Sequence, residues 1–160
     1  MPNWCSNYVS FEGSEENIRK VDEIFEKMIQ RQSISSQGEK PDFQEEILEG
    51  YYFDIAKQDS GIYSYETKWG PNVLDLELIG RHCNVSFIVE FEELGNYVFG
   101  KAKFDVNQTD GLQIMELDHN DISDISYDEE DDLFIYKDQK SDSELEFLEQ
   151  IFRDKFDENY

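Results

Sequence analysis

The sequence is short of positive charge. Fourteen lysines and arginines stand against 38 aspartates and glutamates, a formal net charge of −24 over 160 residues. Ordinary nucleic-acid binding neutralises phosphates with Lys and Arg, so this balance excludes direct contact with nucleic acid as an expected role. Anionic membrane surfaces are disfavoured by the same argument. Cysteine is scarce too: Cys5 and Cys83 are the only two, without CxxC spacing, and read as buried free thiols rather than a disulfide framework. With only His82 and His119 available, a zinc site would have to be filled by carboxylates, so no metal and no cofactor is expected. No GxGxxG, GxxxxGKS or HExxH motif occurs, which leaves catalysis without a recognisable centre. A Cys5–His82 pair is the remaining nucleophilic candidate, but nothing in so acidic a chain activates the thiol. The start has no basic, apolar and small-residue series, and nowhere do about 18 apolar residues run together. The expected setting is the cytoplasm.

What is present is patterned. Aromatics make up 14% of the residues, although the mean hydropathy of −0.72 marks a very polar exterior. A chain of this length suits one core. The charge itself has a scale: a globule of this size is roughly 40 Å across, and roughly 40 Å of duplex DNA carries about as many negative charges as this protein.

"NWCSNYVSF" alternates, placing Trp4, Ser6, Tyr8 and Ser10 on one side and Cys5, Asn7, Val9 and Phe11 on the other, as in a strand. Large side chains so early suggest that this segment is tied into the fold, with Trp4 beneath neighbouring elements. Ser14 suits a helix N-cap, and Ile18, Val21, Ile24, Phe25 and Met28 keep helical spacing to about Arg31. A polar link follows, and from Asp42 to Ala56 the pattern is ambiguous: "FQEEIL" reads as helix and "YYFDIA" as strand, with a strand near Tyr51 to Ile55 favoured. Tyr63, Tyr65, Thr67 and Trp69 alternate in the next strand, and Pro71 suits the first position of a second helix through Val73, Leu76 and Ile79. "NVSFIVEFEE" and "NYVFGKAKFDV" form a hairpin through Leu94, Gly95 and Asn96. Strand, helix, strand, strand, helix, strand, strand is an α+β two-layer sandwich.

The stretches "MPNWCSNYVSFEG", "ETKWGPN" and "VSFIVEFEELGNYVFG" resemble the YubB-type ferredoxin-like domain family of plasmid, phage and bacterial proteins over about residues 1–106. Trp4, Cys5, Trp69 and Pro71 carry the resemblance. It implies a split βαββαβ core with an extra hairpin strand, no catalytic residues to transfer, and an association with mobile elements. The double-Trp motif frequent in the family's middle segment is absent here, and 33–57 stays unassigned.

Residues 107–160 form an acidic C-terminal extension expected to pack on the same domain. "LQIMEL" and "LFIYK" look like strands joined by an acidic run, and Ser141 with Glu144 suggests a capping box before a helix striped by Leu145, Leu148, Ile151, Phe152 and Phe156. Between the strands lie Asp118, Asp121, Asp124, Asp128, Glu129, Glu130, Asp131 and Asp132 without a Lys or Arg. Asp118, Asp121, Asp124 and Asp128 lack the ladder, central Gly and terminal Glu of a calcium loop. A second constellation, Trp4 and Tyr8 with Tyr63, Tyr65 and Trp69, has the types of an aromatic stacking platform but none of its basic surroundings.

Two functional expectations result. The first is a small acidic non-catalytic binding protein that imitates DNA, with the eight acids of 118–132 facing a basic protein such as a nuclease or other DNA-binding protein. The second is a ferredoxin-like structural or regulatory interaction module, acidic only for solubility and able to self-associate into a homo-oligomer.

Overall fold

The computed structural model describes residues 1–156; the last four residues assigned to the C-terminal extension, 157–160, lie outside it. The alternating opening segment is strand β1 (Trp4–Glu12), with Cys5, Asn7, Val9 and Phe11 buried. Helix α1 (Glu15–Gln32) follows, capped by Ser14, whose hydroxyl accepts the Asn17 N–H. Strands β2 (Phe53–Asp59) and β3 (Ile62–Lys68), helix α2 (Val73–Cys83) and strand β4 (Ser86–Glu93) complete a βαββαβ unit. A tight turn at Leu94–Asn96 leads into β5 (Val98–Phe104), and β6 (Leu112–Glu116) adds beside it. The six strands lie in the order β2-β3-β1-β4-β5-β6, every pairing antiparallel. β1 sits centrally, paired with β3 on one side and β4 on the other.

Helices α1 and α2 cover one face of the sheet. Val21, Phe25 and Met28 of α1 and Leu76, Ile79 and Cys83 of α2 pack on Val9, Tyr63, Tyr65, Phe87, Val89 and Phe104. Phe25 stacks on Tyr63, with ring centres 4.1 Å apart. A second cluster forms after β6. Helix α3 (His119–Ile122) precedes a three-stranded meander of β7 (Ser126–Asp128), β8 (Leu133–Tyr136) and β9 (Gln139–Ser141), and helix α4 (Glu144–Phe156) follows. Phe147, Leu148, Ile151 and Phe152 of α4 join Met115, Leu117, Ile122 and Tyr136, and Phe152 meets Phe99 of β5 edge-to-face at 5.7 Å.

Several local expectations are corrected. The strand read at Tyr51 to Ile55 begins later, at Phe53. Tyr52 instead bridges Glu39 through two backbone bonds (2.8 and 2.9 Å), and its ring fills the core. Trp69 leaves the alternation: at φ 72° it turns the chain after β3, donates its N–H to the Asn3 carbonyl at 2.8 Å, and is 58% exposed. Pro71 precedes α2 rather than opening it, because Asn72 occupies the N-cap position. "LQIMEL" and "LFIYK" are both strands, but in different sheets, since α3 and β7 form within the acidic run. The Ser141–Glu144 box is not the cap of α4: the helix starts at Glu144, and Ser141 donates to Glu146 at 2.6 Å while accepting the Ser143 N–H.

Within the unassigned segment 33–57, residues 44–50 gather on one carboxylate that no local sequence pattern marks out. Asp75 is fully buried on α2 and accepts hydrogen bonds from Gln44 Nε2 and from the N–H groups of Leu48, Glu49 and Gly50, at 2.5 to 3.0 Å. Arg31 closes the other end of the segment by donating to Glu39, Asp42 and the Lys40 carbonyl. These groups give an irregular loop the backbone partners that a strand or helix would otherwise supply.

Candidate functional site

The eight acids of 118–132 divide into held and outward-facing groups. Asp118 caps α3 by accepting from the N–H groups of Asn120 and Asp121, while Asp121 accepts the Asp118 N–H in return. Lys155 of α4 reaches this pair, 2.6 Å from Asp121 and 3.7 Å from Asp118. Burial alone would raise the Asp121 carboxyl, but the bonds from Lys155 and the Asp118 N–H hold it below its ordinary value. At the β7–β8 turn Asp128 accepts from Glu130 and Asp131 N–H groups, and Lys140 of β9 binds Asp131 at 2.8 Å and lies 3.9 Å from Asp128. The Lys140 bond lowers the Asp131 carboxyl. Asp132, at φ 56°, closes the turn and accepts the Tyr127 hydroxyl.

Two lysines thus hold Asp118, Asp121, Asp128 and Asp131, leaving Asp124, Glu129, Glu130 and Asp132 exposed without a Lys or Arg ion pair among the described residues. The acidic run is a built element, with its turn pinned by side chains and its strands backed by the Tyr127–Phe134 ring contact at 5.1 Å. Sequence reasoning located the acids but missed the two lysines that sort them, because Lys140 and Lys155 lie 9 and 34 positions from their bonded carboxylates.

The aromatic constellation does not assemble. β1 pairs with β3 so that Val9 opposes Tyr63 and Asn7 opposes Tyr65, which puts both tyrosines on the helix-covered face. Trp4 and Tyr8 point to the opposite face and stay exposed, so Trp4 does not lie beneath its neighbours. It rests edge-on against Phe53 at 5.0 Å, with the Lys68 ammonium over both rings. Beside Tyr8 a groove of about 670 Å³ separates the open sheet face from α4, lined in part by Glu92, Lys101, Glu149 and Arg153. Burial and the nearby Glu149 raise the Glu92 carboxyl.

The nucleophilic candidate also separates. Cys5 is buried, and burial pushes its thiol up to about 12, while exposed His82 stacks on Phe43 at 3.9 Å. A thiol so protonated at neutral pH is a poor nucleophile. Cys83, likewise buried and free, is pushed up to about 11. Among the described residues no three or more His, Cys, Asp or Glu side chains converge so as to hold a metal ion. No described helix is long and apolar enough to cross a membrane.

The strand order and the two helices on one face define the class: a ferredoxin-like α+β domain of the kind that serves as a small interaction module, here extended by β5, β6 and an acidic meander. The chain belongs to the family described as the ferredoxin-like domain in Api92-like protein, whose family model matches residues 50–138. That span includes β2 through β8 and all eight acids of the run. Neither the curated proteins nor the solved structures contain a match.

Proposed function

We propose that this protein is a non-catalytic acidic binding protein that occupies the basic groove of a DNA-handling protein in place of DNA. The observation that carries the reading is the ordered acidic turn. Asp124, Glu129, Glu130 and Asp132 face outward from a small sheet and helix whose other four acids are tied down by Lys140 and Lys155. The pinned backbone sets where these four side chains emerge, so they offer a basic partner the sign of a phosphate backbone at defined positions. The net charge of −24 adds long-range steering toward such a partner. The finer YubB-type kinship implied by the opening motif, with its mobile-element association, supplies a setting in which inhibition of a nuclease or defence protein is useful, and the cytoplasm is the compartment that goes with it.

The test is displacement from DNA. Proteins of a bacterial lysate bound to DNA-cellulose at low salt are challenged with the wild-type chain and with a variant carrying Asp124→Asn, Glu129→Gln, Glu130→Gln and Asp132→Asn. The wild type is expected to release a defined set of bound proteins that the variant leaves in place. Release of nothing by the wild type, or of the same set by both, overturns the proposal in favour of a module whose acidity serves solubility.

A further inference from the structure

The chain treats the two edges of its main sheet differently. At the β2 edge, pairing breaks between Phe53 and Ala56 and again between Lys57 and Asp59, and Asp54 adopts φ 46°. The Gln32 amide reaches over from α1 and takes both the Ile55 N–H at 2.9 Å and the Ile55 carbonyl at 2.8 Å. Bulges and plugs of this kind keep an edge from pairing with another chain.

The β6 edge has no such device. Its register with β5 is unbroken from Leu112 to Glu116, and "LQIME" contains no Pro, Gly or Lys. Leu117 donates its N–H to Phe99 at 3.0 Å and Asp105 donates to Gly111 at 2.9 Å. Antiparallel alternation then makes Met115–Lys101 and Gln113–Lys103 the bonded pairs. The N–H and C=O groups of Leu112, Ile114 and Glu116 consequently point away from β5, and among the described residues they have no partner. The side chains of the same three residues share one face. Ile114 is 49% exposed there. Glu116 is exposed as well, has no ion pair among the described residues, and has its carboxyl raised by the desolvation of its surroundings.

We propose that β6 is a docking edge that receives an extended segment of a partner protein as an added strand, with Lys or Arg opposite Glu116 and an apolar residue opposite Ile114. Three unpaired backbone positions supply the register, Ile114 an apolar contact, and Glu116 the charge that selects a basic segment. A second copy of this chain is the poorer occupant: antiparallel self-pairing about Ile114 would set Glu116 against Leu112 and bring two chains of net charge −24 together. The inference does not require the acidic turn, so the two proposals stand or fall separately.

The probe is a blocked heptapeptide in which threonines alternate with two valines and one arginine, with a glutamate-for-arginine control. Amide hydrogen exchange on the full chain should slow by about tenfold at Leu112, Ile114 and Glu116 when the peptide is bound, a factor set by one added backbone hydrogen bond. Ile114→Pro removes an outward N–H at an edge position that tolerates proline, and should weaken binding by about tenfold. Glu116→Gln should weaken it by about threefold, the worth of an exposed ion pair. A peptide N-methylated at alternate residues should not bind, which checks the edge even if Ile114→Pro misfolds. Peptide binding should survive neutralisation of the acidic turn. Unchanged exchange at these three amides with millimolar peptide, or protection confined to another element, overturns the proposal. Protection that grows with protein concentration in the absence of peptide assigns the edge to a second copy and overturns the basic partner.

Discussion

At the scale of single residues, two aspartates gather several hydrogen bonds each: Asp22, half-buried, and Asp75, fully buried. Asp22 on α1 accepts from the Ser60 hydroxyl, the Gly61 N–H and the Tyr63 hydroxyl, at 2.7 to 2.8 Å, and so ties the helix to the β2–β3 turn. Burial alone would raise its carboxyl, but the bonds from Ser60, Tyr63 and Gly61, with Lys57 nearby, hold it below its ordinary value. A carboxyl that is harder to protonate folded than unfolded stabilises the fold above its unfolded pKa and loses that contribution as pH falls through the folded one. Asp22→Asn should therefore lower stability at neutral pH and flatten its fall on acidification below about pH 4, the ordinary aspartate range, as followed by urea unfolding at stepped pH. An acid limb as steep as that of the wild type would contradict the assignment. Asp75 is the more costly position. Asp75→Ala leaves the buried Gln44 amide and three part-buried backbone N–H groups without their acceptor, and is expected to lose about 3 kcal/mol, since an orphaned buried donor costs about 1–3 kcal/mol and the part-buried ones less. Urea unfolding at neutral pH measures this, and a loss below about 1 kcal/mol would show that water replaces the carboxylate.

At the scale of elements, a glycine decides how α2 lies on the sheet. Gly80 reads in sequence as a weak point near the helix end, and Gly→Ala inside a helix ordinarily gains about 1 kcal/mol. A Cβ at Gly80 would stand 2.8 Å from the Phe104 ring and 3.0 Å from the Val85 carbonyl. Overpacking costs of about 1–3 kcal/mol outweigh the propensity gain. Gly80→Ala should therefore lower the melting temperature, and a rise would mean that Phe104 moves freely aside. The elements most legible in the sequence were those whose period is set by a buried face: β1, α1, β3 and the β4–β5 hairpin. Legibility failed where side chains at long separation take over the backbone. Residues 34–52 are shaped by Asp75 and Arg31 from two helices, and no local pattern announces that. The aromatics at Tyr51 and Tyr52 suggested a strand because they are good strand formers, yet only Tyr52 is buried, and it pairs with Glu39 as an isolated bridge. Likewise Trp69 matched the alternation by count while the backbone had already turned at φ 72°.

At the scale of the whole molecule, charge was readable from composition but its arrangement was not. A net charge of −24 is compatible with a uniform solvated exterior or with an organised contact surface. Lys140 and Lys155 mark the difference, because they pair with four of the eight acids and so hold the turn and helix from which the other four project. At physiological salt, charges more than about 8 Å apart are largely screened, so position should matter more than total charge once partners are in contact. The direct measurement compares two variants of equal net charge for release of proteins from DNA-cellulose across a salt series. One neutralises Asp124, Glu129, Glu130 and Asp132; the other neutralises Glu16, Glu23, Glu45 and Glu46, four exposed acids on α1 and the following loop. The account predicts that release is lost with the first variant and kept with the second. Equal loss with both would show that bulk acidity, rather than an ordered turn, does the binding.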